Sequence, residues 1–161
     1  MTPLRGLNAD FRDLLACFCR ESVEFVLVGA YALAFHGVPR ATGDIDVFVR
    51  ATPANAEKTW RALKAFGAPL AAAGVKPQDF ATPGIVYQIG LPPRRIDILT
   101  DISGVSFDEA WESRVVGDLD GLAVPFLGRA TLLTNKRASG RLKDLADVER
   151  LDGGEGETTE A

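Results

Sequence analysis

Residues 25–49 read FVLVGAYALAFHGVPRATGDIDVFV, and the fold turns on this stretch. The apolar run Phe25–Val28 has strand character and enters a corner at Gly29-Ala30. Residues 31–43 separate that corner from Asp44-Ile45-Asp46, which apolar residues flank. Side chains alternate along a strand, so Asp44 and Asp46 share one face, while Ile45, Val47 and Val49 share the other and must pack against helices. A glycine where a strand passes into a helix leaves backbone N–H groups able to receive an anion. Two carboxylates on one strand face can hold a divalent metal. Together they imply phosphate and metal, hence nucleotide chemistry. Neither half is specific alone, since strand–helix glycines are common and Asp-x-Asp also decorates solvated strands.

A third carboxylate repeats the pattern. Asp97 sits in Ile96-Asp97-Ile98-Leu99, a segment apolar enough to lie inside a sheet. If this strand neighbours the first, three carboxylates converge from one face. Like charges so placed repel and raise one another's pKa unless a cation lies among them. A donor set of Asp44, Asp46 and Asp97 is all hard oxygen, which suits Mg²⁺ or Mn²⁺ rather than zinc. Two such ions can clamp the attacking and leaving oxygens of a phosphoryl transfer. No P-loop and no G-x-G-x-x-G motif is present.

Outward from this stretch, Leu7, Phe11, Leu14, Leu15 and Phe18 form one helical stripe, with Asn8 or Asp10 as its cap. A short helix spans about Ala30 to His36. Thr52 caps and Pro53 opens a helix to about Phe66. Ala68 to Gly84 reads as a short helix or loop. Strands are expected at Ile85 to Ile89 and Arg95 to Thr100, then a helical turn over Phe107 to Arg114. A hairpin about Asp118 to Gly121 follows. Two helices close the chain, Arg129 to Ser139 and Leu142 to Leu151, divided at Gly140. Residues 1–151 are expected to form one domain, and the acidic, apolar-poor segment 152–161 to be disordered.

Length and composition agree with one soluble globular domain: 161 residues, 47% apolar and 25% charged. The net charge is −4, and Glu155, Glu157 and Glu160 supply three of those units. The body is therefore near neutral, which gives no broad electrostatic case for nucleic acid, although Lys and Arg cluster between Arg129 and Lys143. Cys17 and Cys19 read as helix thiols rather than ligands. No apolar run reaches membrane-spanning length and no leader is evident, so a cytoplasmic chain with no membrane partner is expected.

Gly29, Asp44 and Asp46 match hG-[GS]-x(9–13)-D-h-[DE]-h, and with Asp97 as a later strand carboxylate the chain resembles the polymerase-β-like nucleotidyltransferase superfamily. Within it the chain is similar to small prokaryotic AbiEii-type toxins and minimal relatives. That closer likeness is carried by His36-Gly37-Val38-Pro39-Arg40-Ala41-Thr42 and by residues 135–147, NKRASGRLKDLAD. The resemblance implies an α/β (α+β) nucleotidyltransferase fold, a short mixed sheet with helices packed against it and the metal site at an exposed sheet face. It implies Mg²⁺-dependent transfer of an NMP from an NTP to an acceptor hydroxyl on an RNA end, a protein or a small molecule. A cognate toxin or antitoxin partner belongs to the same expectation. Ala30 departs from the pattern, since Gly or Ser usually stands there and a serine hydroxyl is lost. That departure supports an alternative, a weak or inactive nucleotide- or partner-binding module of the same fold. A metal-dependent phosphohydrolase lacks its usual His-Asp clusters here.

The resemblance also assigns roles. Asp44, Asp46 and Asp97 would bind two metals, with Asp97 helping to deprotonate the acceptor. Gly29 and Ala30 would cradle phosphates, and Arg40 and Thr42 would contact the nucleotide. Lys136 follows Leu132 and Leu133 by four and three residues, which places it near the apolar face of its helix. It would contact the triphosphate; a snorkelling lysine is the other reading. Asp144 would position the catalytic cation by an ion pair, against a surface pairing of Lys143 with Asp147. His36 reads as a helix-end residue before a general base.

Overall fold

A computed structural model describes residues 7–38 and 43–160, with side chains as far as Gly153. Arg40 and Thr42 lie outside the described residues. Among the described residues, six helices and six strands appear in the order α1 (Ala9–Arg20), β1 (Phe25–Val28), α2 (Gly29–Phe35), β2 (Ile45–Val49), α3 (Pro53–Phe66), β3 (Val86–Ile89), β4 (Ile96–Leu99), α4 (Phe107–Glu112), β5 (Val115–Leu119), β6 (Leu122–Phe126), α5 (Arg129–Ser139) and α6 (Leu142–Glu160). A 3₁₀ turn at Pro77–Ala81 anchors the stretch expected as helix or loop, with Phe80 fully buried.

The strands form one mixed sheet, β3-β4-β2-β1-β6-β5. β1 runs antiparallel to β2 and parallel to β6, while β2 and β4 are parallel neighbours. Alternation sends Phe25, Leu27, Ile45, Val47, Val49, Ile96 and Ile98 to one apolar layer with the buried residues of α1 and α3. Val26, Val28 and Phe48 enter a second layer with Val105, Ala110, Leu132 and Leu151. Helices therefore cover both faces of the sheet. The carboxylate face is not the open sheet surface that was expected; it is closed by α4, α5 and α6 except at one end. Alternation assigns residues to a face but does not say whether that face is covered.

Local signals set the helix ends. Asn8 accepts from the Phe11 N–H at 2.9 Å and Thr52 from the Asn55 N–H at 3.3 Å. Gly67 ends α3 in the left-handed region at φ +94°. The last helix, α6, runs to Glu160.

Asn55 ties three elements together. Its Oδ1 accepts from the Glu24 N–H at 2.8 Å, and its Nδ2 donates to the carbonyls of Glu24 and Arg50 at 3.0 Å each. Asn55 is 2% exposed, so its truncation removes a buried partner from all three backbone groups. Asn55→Ala is expected to cost about 2–3 kcal/mol, read as a lower urea midpoint at unchanged slope.

Candidate active site

The sheet register aligns the carboxylates. Val28 of β1 pairs across from Asp46 of β2, and Asp46 pairs across from Asp97 of β4. The end of β1 and the starts of β2 and β4 thus lie side by side at one end of the sheet. Asp44 precedes β2 and accepts from the Arg95 N–H at 3.0 Å. Two glycines permit this crowding. Gly29 has φ +65°, and a Cβ there would overlap the Asp46 carboxylate; a Cβ at Gly43 would overlap the Pro93 carbonyl beside Asp44.

A cleft of about 390 Å³ opens over this end. Gly29, Ala30, Asp44, Asp46 and Asp97 form one wall, and Asn135, Lys136, Ser139, Arg141, Lys143 and Asp144, from the last two helices and the link between them, form the other. Burial pushes the Asp46 carboxyl up to about 6, helped by Asp97 and Asp44 and opposed by Lys136. Asp97 is 7% exposed. The three carboxylates are suited in kind to a hard divalent ion, and their mutual repulsion is of the sort such an ion relieves. In the observed arrangement, however, no three His, Cys, Asp or Glu side chains among the described residues form a group that could hold a metal ion.

Arg95 lies across this set. Its Nε is 2.8 Å from Asp97 Oδ1, its Nη2 3.2 Å from Asp97 Oδ2 and 3.6 Å from Asp44 Oδ2. Arg95 was not among the sequence candidates, yet it stands two residues before Asp97 and period two puts both on one face. Asp101, Ser103 and Asn135 also line the cleft unanticipated. They come from loop and helix positions that no strand pattern marks.

Lys136 on the opposite wall is 7% exposed. Its ammonium is 3.0 Å from Asp144 Oδ1 and 3.4 Å from Asp147 Oδ2. Asp144 is 1% exposed and also accepts from Arg141 Nε at 2.7 Å and from the Ser139 hydroxyl. Burial alone would raise the Asp144 carboxyl; the donors Ser139, Arg141 and Lys136 outweigh it and hold it at about 2. Both aspartates at i and i+3 on α6 therefore face Lys136. The surface pairing of Lys143 with Asp147 gives way to a buried one, since Asp147 is 2% exposed. His36 ends α2 and its Nε2 donates to the Leu127 carbonyl, 2.8 Å away, and burial lowers its pKa. It does not line the cleft.

The architecture is that of a nucleotidyltransferase. A crystal structure from Thermotoga maritima, of a candidate nucleotidyltransferase, superposes with a TM-score of 0.54 over 91% of each chain at 17% sequence identity. That likeness concerns the fold. The sequence model of the family described as nucleotidyl transferase AbiEii toxin, type IV TA system, matches residues 13–160, and the chain belongs to that family. It is thus a nucleotidyltransferase of a toxin–antitoxin family, and membership suggests a cognate antitoxin. No curated protein matches. No described helix is long and apolar enough to cross a membrane.

Proposed function

We infer that the chain transfers a nucleoside monophosphate from an NTP to an acceptor hydroxyl on an RNA end, a protein or a small molecule, with Mg²⁺ or Mn²⁺ as cofactor. The observation that carries this reading is the alignment of Val28, Asp46 and Asp97 across three adjacent strands, with Gly29 next after Val28 and Lys136 on the facing wall. Asp44, Asp46 and Asp97 would hold the metal, which supplies Lewis-acid stabilisation of the oxygens being joined and released.

The acceptor oxygen attacks the α-phosphorus, forming one P–O bond as the bond to the pyrophosphate oxygen breaks. Asp97 is placed to take the acceptor's proton once Arg95 leaves it. Lys136 has three N–H donors, and Asp144 and Asp147 engage two. The third remains for the leaving pyrophosphate, where a fixed positive charge stabilises what develops in the transition state. Gly29 and Ala30 present backbone N–H groups to the phosphates. Arg40 and Thr42 keep their role as nucleotide contacts by resemblance alone.

Titration with ATP, GTP, CTP and UTP, with and without Mg²⁺, tests this. Metal-dependent binding of at least one is expected. Ala30, which lacks the usual hydroxyl, favours the second reading, a binding module without chemistry, and that reading requires metal-independent binding or none. Gly29→Ala follows from the crowding described above. The substitution adds about 1–3 kcal/mol of backbone strain and displaces the Asp46 carboxylate, so the transfer rate should fall by about 10²-fold. The rate is read from pyrophosphate release.

A further inference from the structure

The carboxylates already have a cation, and it is covalently part of the chain. Arg95 makes a bidentate pair with Asp97 and reaches Asp44. These are two of the three side chains assigned to the metal, so a guanidinium and a divalent ion compete for the same oxygens. Asp44 is held independently, because the Arg95 backbone N–H donates to its other oxygen, Oδ1. The side chain can therefore leave without releasing Asp44. At 28% exposure it borders the cleft, on the wall opposite Lys136, Arg141 and Lys143. Arginine is also the side chain best matched to bidentate contact with phosphate oxygens.

We propose that Arg95 is an exchangeable internal cation: it neutralises Asp97 and Asp44 before loading and transfers to the nucleotide's phosphates as a divalent ion takes the carboxylates. The proposal rests on the transferase reading of the same cleft. Metal and nucleotide then load together, since an ion arriving alone must displace the arginine with nothing to receive it. Arg95 is a positioning residue in this account, with effects of opposite sign on the two ligands.

The test compares wild type with Arg95→Gln, using Mn²⁺ alone followed by electron paramagnetic resonance, and inorganic triphosphate alone in EDTA followed by calorimetry. The variant is expected to bind Mn²⁺ roughly tenfold tighter or more, as a charge-assisted competitor is lost, and to bind triphosphate more weakly. A residue that merely supports the fold would weaken both. Equal or weaker Mn²⁺ binding by folded Arg95→Gln overturns the proposal and leaves the transferase reading standing. Failure of both proteins to bind Mn²⁺, with Asp97→Asn indistinguishable from them, overturns the metal reading and this proposal with it. If Arg95→Gln does not fold, Arg95→Lys decides. It keeps the charge without the fork, so it should bind Mn²⁺ tighter than wild type, and wild-type affinity would contradict the proposal.

Discussion

Asp46→Asn is expected to lose at least about 10³-fold in nucleotidyl transfer while becoming more stable than wild type at neutral pH in metal-free buffer. The two effects have one origin. The Asp46 carboxyl is raised from 3.8 to about 6 by burial, by Asp97 and by Asp44, against the favourable but smaller influence of Lys136. A carboxyl with a raised folded pKa binds its proton more tightly when folded, so the folded state is favoured while that proton is present. Stability from this group is greatest below its unfolded pKa and declines as pH rises from about 4 to about 6. The full shift corresponds to about 3 kcal/mol at most. Asn carries no charge and avoids this loss. Thermal midpoints measured from pH 4 to pH 7 without divalent ions should therefore diverge as pH rises, with Asp46→Asn higher. Adding Mg²⁺ should narrow the gap by stabilising wild type alone. A variant less stable than wild type at pH 7 would show that Asp46 is not under this electrostatic load.

Lys136→Met is expected to be the most destabilising single change at the cleft, costing about 3–5 kcal/mol. It leaves Asp144 and Asp147, at 1% and 2% exposure, without the ammonium between them. The midpoint of thermal unfolding should fall by roughly 6–20 °C, given the usual response of a domain this size. Lys136→Met/Asp144→Asn should recover part of the loss, because a buried charge without its partner costs more than no charge at all. The acid limb carries the opposite sign to that of Asp46. Asp144 is held at about 2, below its ordinary 3.8, so its contribution is complete above about pH 4 and is lost as pH falls toward 2. A Lys136→Met protein as stable as wild type would mean that the cluster is solvated rather than buried.

Much of this molecule is visible in its sequence because its signals are local. Thr52 and Pro53 start α3, and the structure follows that punctuation to Phe66. The strand period places Asp44 and Asp46 on one face, and it holds for Asp97 once β4 lies beside β2. That adjacency is a long-range fact with no local marker. The same limit explains the covered carboxylate face, since helices α4 to α6 arrive from the far end of the chain. Arg95 was legible in principle, two residues before Asp97, but an arginine at a strand start reads as solvated until its partners are known. Asp147 shares a face with Asp144 by its i, i+3 spacing on α6. Lys136, its partner, became evident only when α5 was packed against α6.

The central claim is that the aligned carboxylates serve nucleotidyl transfer. Its most direct test is incubation of the full chain with each α-labelled NTP, Mg²⁺, total RNA and cell lysate, beside an Asp44→Asn/Asp46→Asn protein and a parallel set of γ-labelled NTPs. The account predicts label on a discrete acceptor from at least one α-labelled NTP, none from the γ-labelled NTPs, and none with the double variant. Equal α-label transfer by the double variant would contradict it.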